Sequence, residues 1–529
     1  MQQFRFDDLP TTLHHLLDSR AEALGAQTYA IVGETDYSYR QIAAWSRLMA
    51  ARLHALGVRP GQRVVVLMEA GAPYLALWFA LSRVGAVETP INPAYRGLLL
   101  KQLIETAEPS LSLVAPAYRD QYIDACGALV PPERVIDPAA LLDPAAAAAD
   151  LPALPVGRRD TAAIIFTSGT TGRSKGVMIS QRQQLSFGQA FREITALTTA
   201  DTTYNFLPFF HIAAKFLALG TMLAGGRMVL RNGFSLSAFW PEVRRHGVTV
   251  TSAVGGLCHM LYSQEPAAGD ADNPMRLIYA VPIPWEFKTE FEQRFALTLV
   301  EGYGSTENNL IVFSRAGEAT PRGSCGRASP YFEIQIQDEL GDRQPPGVAG
   351  EICVRPKYPD TLLQGYFGMP DKTLEVLADL WFHSGDRGYM DETGYVFFLD
   401  RLKDAIRRRG ENISSFEVER VLNSHHAVAE TAVIPHPSEL AEDEVKAIVV
   451  LKPGRHATHE DILRHAADNM PHFMVPRFIE FRDVLPRTPT MKIRKQELKA
   501  EGNSSRTWDC EAAGLQITRK GIVRKNATA

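Results

Sequence analysis

From Ser38 onward the apolar positions of the chain alternate between two spacings. Ser38-Tyr39-Arg40-Gln41 forms a capping box, and the apolar period behind it predicts a helix to about Ala55, stopped by Gly57 and Pro60. The apolar run Arg63–Met68 predicts a strand, and the apolar-rich stretch Ala72–Val84 a helix packed on it. Strand, helix and strand follow at Thr89–Asn92, Leu98–Thr106 and Leu111–Ala115. Strands alternating with helices imply an α/β fold of parallel-type sheets flanked by helices. The Ala/Pro-rich stretch Pro138–Pro155 lacks such a pattern and reads as a surface connection. After Asp400 the pattern changes. A charge-dense run, Arg401 to Arg409, leads into a helix over Ser415–Leu422, strands over Glu430–Ile434 and Val445–Leu451, and a helix capped by Thr458. These suffice for a small α+β domain of about 100 residues. The expected organisation is a large N-terminal domain over 1–400, a small C-terminal domain over 401–500 and a polar tail over 501–529.

Composition narrows the function classes. At 529 residues the chain is too long for one ordinary core. Lys+Arg number 56 and Asp+Glu 60, for a net charge of −4. That balance excludes bulk nucleic-acid binding through a basic excess, so an anionic ligand must be held by a local site. The five cysteines are scattered, with no Cys-x-x-Cys pair, which predicts buried thiols in a reducing cytoplasm. The first ten residues carry Arg5, Asp7 and Asp8 and no apolar core, so no secretion signal is expected. The apolar stretch ending at Arg83 is too short for a membrane span.

The strongest chemical signal follows the apolar strand pattern Asp160–Phe166. The segment Thr167-Ser168-Gly169-Thr170-Thr171-Gly172-Arg173-Ser174-Lys175-Gly176 is rich in glycine and hydroxyls. Such a loop offers backbone N–H groups and hydroxyls to an anion, its glycines permit close approach, and Lys175 adds a positive charge for phosphate oxygens. The spacing is not that of a Walker A loop. The order Thr-Ser-Gly-Thr-Thr-Gly-x-x-Lys-Gly resembles the phosphate loop of the adenylate-forming superfamily, which comprises acyl-CoA synthetases, aryl-CoA ligases, luciferases and peptide-synthetase adenylation domains. The family's remaining motifs appear in order, and the resemblance spans about Leu13 to Leu498.

Leu207-Pro208-Phe209-Phe210-His211 resembles the family's Pro-x-x-His segment, which implies that His211 lies beside the acyl pocket. Glu301-Gly302-Tyr303-Gly304-Ser305-Thr306-Glu307 resembles Tyr-Gly-x-Thr-Glu. The resemblance implies that Tyr303 packs on adenine, Thr306 contacts the α-phosphate and Glu307 helps hold Mg²⁺, a hard cation suited to few carboxylates plus phosphate oxygens. Trp381-Phe382-His383-Ser384-Gly385-Asp386 resembles Trp-x-x-Thr/Ser-Gly-Asp, with Asp386 accepting from the ribose hydroxyls. Asp400-Arg401-Leu402-Lys403-Asp404 resembles the Gly-Arg-x-Lys-Asp junction, with Arg401 on ribose or phosphate and Lys403 as the hinge of a mobile small domain. Pro486-Arg487-Thr488-Pro489-Thr490-Met491-Lys492-Ile493 resembles Pro-Arg-Thr-x-x-Gly-Lys-Ile, with Lys492 as the catalytic lysine.

The implied reaction joins a small carboxylic acid to coenzyme A with ATP as driver, by way of an acyl-adenylate and with pyrophosphate and then AMP leaving. The small domain turns about Lys403 between the half-reactions, and Gly410 lets the backbone approach the pantetheine arm. Three departures stand out. Met491 and Asp400 occupy positions where the family prefers glycine, which predicts a stiffer lysine loop and a stiffer junction. Between Gly269 and Gly302 there is no glycine, although the family has Gly-Gly-Ala-Pro or Gly-Ala-Pro near Tyr279; this predicts a reshaped acyl pocket or a weakened ATP site. Gly304 replaces the tryptophan wall of acetate-specific relatives, which predicts a deeper pocket. Lys215 is a candidate partner for a second anionic group on the acid, or a solvent-facing lysine. Alternatives are an enzyme that performs only thioesterification from an adenylate made elsewhere, an acyl-carrier-protein ligase, disfavoured because no carrier domain follows Leu498, and an adenylate-binding protein without catalysis. The stretches Ser424–Lys446 and Thr507-Trp508-Asp509 resemble the carnitine-CoA ligase-like branch.

Overall fold

A computed structural model describes residues 8–143, 151–167, 174–401, 406–408, 411–413, 415–437, 443–488, 491–518 and 521–524. The alternating pattern of the first half folds as expected. The capping box at Ser38 and Gln41 opens the helix Tyr39–Ala55, and strand Arg63–Leu67, helix Ala72–Val84, strand Val87–Pro90, helix Gly97–Ala107 and strand Leu111–Val114 follow. Two seven-stranded sheets result. One runs Thr298–Val300, Leu277–Val281, Val250–Val254, Thr202–Asn205, Arg227–Leu230, Thr28–Val32 and Thr35–Ser38, parallel except for its last pair. In the other, Thr161–Thr167, Val87–Pro90, Arg63–Leu67, Leu111–Val114 and Val135–Ile136 are parallel, and Lys175–Ser180 and Gly365–Tyr366 extend the edge antiparallel. A third, eight-stranded sheet between Gly302 and Arg401 is antiparallel throughout.

The apolar interior falls into separate clusters. The largest draws on side chains from Leu13 to Val396, and another on side chains from Ile406 to Leu515. The five cysteines are all free and buried. The second cluster sits under the sheet Val428–Pro437, Asp443–Leu451, Phe478–Phe481 and Thr507–Asp509, crossed by helices Ser415–Asn423 and His459–Asn469. Thr458 caps the latter, accepting from Asp461 N–H at 3.2 Å while the Asp461 carboxylate accepts from Thr458 N–H at 2.8 Å. The segment expected as a polar tail is built into this domain. Thr507–Asp509 is its fourth strand, Cys510 and Leu515 are buried in its core, and Leu515–Thr518 pairs with Gly521–Arg524 as a hairpin. Its apolar residues are too sparse to show a period, which is why the sequence reads as a tail. Among the described residues no helix is long and apolar enough to cross a membrane.

Asp400 ties the two cores together. It lies near the end of strand Tyr395–Arg401, and its Oδ2 accepts from both the backbone N–H and the hydroxyl of Ser415, at 2.6 and 2.9 Å, at the start of the helix Ser415–Asn423. A buried carboxylate on the first N–H groups of a helix acts as a cap and favours the positive end of the helix dipole. The Lys495 ammonium donates to the same Ser415 hydroxyl at 2.7 Å and pairs with Glu419 at 2.9 Å. The stiffening expected from Asp400 thus has a physical agent. Lys403 lies outside the described residues. Asp400→Ala should weaken this helix start by about 1–2 kcal/mol. Hydrogen exchange should show faster exchange of the Ser415–Val418 amides while the strand Val250–Val254 keeps its protection.

Candidate active site

Strands Thr161–Thr167 and Lys175–Ser180, which flank the glycine-rich segment, pair antiparallel with Thr167 opposite Lys175. Ser168, Gly169, Thr170, Thr171 and Gly172 lie outside the described residues. The Lys175 ammonium stands 4.6 Å from the centre of the Tyr366 ring. The Tyr366 hydroxyl donates to Glu307 Oε1 at 3.1 Å, and burial together with that carboxylate pushes the phenol up. Tyr366 therefore connects the phosphate-loop lysine to Glu307. Gln183 fixes the same turn, its amide donating to the carbonyls of Thr306 and Glu307 at 3.3 and 3.0 Å. Neither Gln183 nor Tyr366 carries a sequence signal, since each acts across sheets that the motifs do not connect. Among the described residues no side chain bonds Glu307 Oε2, and a carboxylate with one oxygen held and one open suits a hard cation.

Tyr303 and Asp386 meet directly, with the Tyr303 hydroxyl donating to Asp386 Oδ2 at 2.7 Å. The Tyr303 ring centre lies 5.9 Å from that of Phe398. Asp386 is the register partner of Arg401, which brings those two motifs together; the Arg401 side chain and Gly410 lie outside the described residues. Gly304 has a reason beyond pocket depth. A Cβ there would sit 1.9 Å from the Asn309 carbonyl oxygen, where the hairpin shifts register and Asn309 takes φ +75°.

His211 caps the helix Ile212–Ala224, its Nδ1 accepting from Ala213 N–H at 3.2 Å. Accepting there requires a neutral ring. Burial, and then the nearby Lys492 ammonium, hold the imidazole down to about 3. Lys492 thus acts on the His211 imidazole through its charge, although it belongs to the small domain. Its loop is closed by Thr488 N–H to the Lys492 carbonyl (2.7 Å), Met491 N–H to the Thr488 carbonyl (2.8 Å) and Arg487 to the Met491 carbonyl (2.8 Å). Met491 adopts φ +66°, the left-handed region that explains the family's glycine and that costs a side chain of this kind about 1 kcal/mol.

Lys215 is neither exposed nor open to a ligand. It is fully buried, and its ammonium donates to both Glu88 oxygens at 2.8 and 2.7 Å while facing Trp78 at 4.3 Å. Tyr74 adds a hydroxyl to Glu88 at 2.8 Å. An acid this deep needs a partner, and the lysine on the facing helix supplies it. The expectation of a substrate-pairing or solvent-facing lysine is corrected accordingly.

Tyr279, which stands where the family has glycines, is also buried, edge-on to Phe191 and Phe216 at 5.9 and 6.2 Å. Its hydroxyl lies 2.8 Å from where a Cβ on Gly302 would be, so the space is filled from one strand and yielded by the glycine of the other. The following turn is tethered by Glu301, whose Oε2 accepts from the Trp285 indole at 3.1 Å. Burial pushes this carboxyl up to about 8. A carboxyl whose folded value lies above its usual 4.5 binds its proton more tightly in the native state. Its contribution is therefore full below about 4.5 and is lost as pH rises through 8. Glu301→Gln keeps an acceptor for Trp285 and removes the titration. Denaturant unfolding across pH 5 to 8 should show the variant gaining on the parent as pH rises; parallel curves would exclude Glu301 as a buried neutral acid.

With this geometry established, comparison with known proteins is informative. Residues 17–367 match the AMP-binding enzyme family and residues 417–492 the AMP-binding enzyme C-terminal domain. The crotonobetaine/carnitine–CoA ligase of Salmonella arizonae is 31% identical over 480 residues, covering 88% of this chain and 93% of that protein. The same ligase from Escherichia coli O157:H7 is 30% identical over 510 residues, covering 92% and 98%. Among solved structures, ATP-bound MatB from Rhodopseudomonas palustris superposes with a TM-score of 0.83 at 28% identity, covering 92% of this chain and 98% of that one. The o-succinylbenzoate CoA synthetase of Bacillus subtilis, in complex with its acyl-adenylate, does so with a TM-score of 0.81 at 25% identity, covering 93% and 99%. The large N-terminal and small C-terminal domains agree with these structural neighbours, and the chain belongs to the AMP-binding enzyme family, among its adenylate-forming acyl-CoA ligases.

Proposed function

We propose that the chain makes an acyl-CoA thioester from a monocarboxylic acid with an uncharged or cationic tail, through the residues described above. The observation that carries the adenylation half is the chain of contacts from Lys175 through Tyr366 to Glu307. In the first step a carboxylate oxygen bonds to the α-phosphorus of ATP, the bond to the β-phosphate oxygen breaks, and pyrophosphate leaves. Both reactants are anions, so the barrier is lowered mainly by placement and by fixed positive charge. Lys492 bridges the carboxylate and α-phosphate, the Thr167–Lys175 loop receives the β- and γ-phosphates, and Thr306 contacts the α-phosphate. Tyr303 packs on adenine, and Asp386 with Arg401 receives the ribose. Glu307 would hold Mg²⁺, whose charge, when bound, offsets that of the phosphates. In the second step the small domain turns about Lys403, Gly410 faces the pantetheine arm, the thiol sulfur attacks the acyl carbon, and AMP leaves.

The acid follows from the pocket's charges. His211 is neutral and Lys215 is satisfied by Glu88, so neither supplies a cation for a second carboxylate. The crotonobetaine and carnitine of the curated relatives' names are monocarboxylates with a cationic tail, which need no second cation from the protein. No membrane-crossing helix among the described residues and five buried free thiols agree with a cytoplasmic setting.

Two measurements test the reading. Lys492→Ala should abolish pyrophosphate release from ATP and acid, yet retain thioester formation from synthetic acyl-adenylate and coenzyme A; equal loss of both half-reactions sinks the lysine's role. On a panel of short aliphatic acids, benzoate, crotonobetaine and matched dicarboxylates, the dicarboxylates should show kcat/KM at least tenfold below their monocarboxylate counterparts. A dicarboxylate as the best substrate would overturn the assignment of the acid.

A further inference from the structure

The strand Gly350–Pro356 runs antiparallel to Trp381–Met390, with Cys353 opposite His383 and Glu351 opposite Arg387. An advance of two residues on one strand meets an advance of four on the other. The surplus is taken up by Ser384, Gly385 and Asp386, which bulge from the ladder; such bulges re-aim a side chain. Gly385 takes φ +71°, and the Ser384 hydroxyl accepts from Asp386 N–H at 3.1 Å. A bulge leaves backbone donors without ladder partners, and here one carboxylate supplies the acceptor. Glu351 Oε1 accepts from Gly385 N–H at 2.8 Å, and Oε2 stands 2.8 Å from His383 Nδ1, so a single side chain holds both ends of the turn that carries Asp386.

The same Nδ1 lies 3.5 Å from Cys353 Sγ, which makes Glu351, Cys353 and His383 a trio of metal-ligand types. Their spacing argues for hydrogen bonding instead. Ligands on a tetrahedral ion with bonds of about 2.0–2.1 Å stand about 3.3 Å apart, wider than the 2.8 Å between Glu351 and His383. The Cys353 thiol, pushed up to about 12 by burial and then by Glu351, is protonated and a poor ligand.

We propose that Glu351 is a positioning residue for nucleotide binding: its carboxylate fixes the Ser384–Gly385–Asp386 bulge so that Asp386, already anchored by Tyr303, faces the ribose hydroxyls. The inference rests on the reading of Asp386 as the ribose acceptor. It assigns a role to the Gly350-Glu351 step and to His383, neither of which touches nucleotide in this scheme. Misplacing Asp386 should therefore weaken recognition of the ribose hydroxyls and leave recognition of the phosphate and base.

The test uses the full-length enzyme and two probes, AMP and 2′,3′-dideoxy-AMP, measured by calorimetry. The parent should prefer AMP by at least tenfold. Glu351→Ala should bring that preference to within about twofold of that of Asp386→Ala, while affinity for the dideoxy nucleotide changes less than twofold. Glu351→Ala/Asp386→Ala should bind AMP no more weakly than Asp386→Ala alone. Glu351→Gln keeps one acceptor and should retain an intermediate preference; it carries the test if the alanine variant does not fold. Equal weakening of both nucleotides, or additive losses in the double variant, overturns the role of Glu351. A parent that binds both nucleotides equally overturns the ribose role of Asp386 and the inference with it, whereas a discriminating parent with an equally discriminating Glu351→Ala overturns the inference alone.

Discussion

The Asp400 carboxylate, near the end of the last strand of the large domain, holds the first helix of the small one, and the placement of Lys492 depends on that bond across the division. A lysine on a short closed turn cannot reach far by itself, so the small domain as a body must be set against the large one. Among the described residues, polar contacts help to set it. Asp400 holds the first turn of the helix Ser415–Asn423, Lys495 ties that turn to the lysine loop, and Arg487 joins Glu430 while its guanidinium lies against Gly256 of the large domain. Polar contacts of this kind are directional but individually worth about 1 kcal/mol, as the proposed turn of the small domain requires. A buried apolar interface of the same extent would hold more strongly and release more slowly.

Much of the fold was legible because the early strands and helices obey their periods. The capping box at Ser38 and the apolar stretch Ala72–Val84 give helix boundaries that the structure reproduces. The small domain was legible up to the cap at Thr458, where a hydroxyl and a carboxylate three residues apart announce the turn. Its closing strand was not, because Thr507–Asp509 is short and an edge strand needs little apolar content of its own. The sheet between Gly302 and Arg401 was also hidden. Its strands are joined by long irregular segments, and its pairings, such as Gly326–Ala328 beside Tyr395–Arg401, link stretches far apart in sequence.

The site divides along the same line. Motif residues that form contiguous turns, such as Thr306–Glu307 or Ser384–Asp386, could be read from order and residue type. Residues that hold those turns could not. Gln183, Tyr366 and Glu351 each come from another strand or helix, and nothing in their own neighbourhoods marks them. Lys215 shows the converse error. Its proximity to His211 in sequence suggests a ligand partner, but one helical turn on from His211 it is buried against Glu88 on the strand Val87–Pro90.

The missing glycines near Tyr279 recast a doubt about the ATP half as a statement about the acid. A side chain in that place could have intruded on the nucleotide, but the Tyr279 ring turns instead toward Phe191 and Phe216, and Gly302 makes room for its hydroxyl. The hydrogen bond between Tyr303 and Asp386 is made, and the turn after Tyr279 is held from behind by Glu301 and Trp285. Under the proposed roles of Tyr303 and Asp386, the substitution leaves the adenine and ribose side as it is. Met491 is the opposite kind of departure, since it fills no pocket and its cost is borne by the backbone at φ +66°. A strained residue next to Lys492 raises the energy of the state in which the lysine is engaged, and so lowers the barrier to leaving it. Under the proposed two-step reaction, that strain works in the direction of the lysine's release, while the Asp400 carboxylate opposes it by holding the start of the helix Ser415–Asn423.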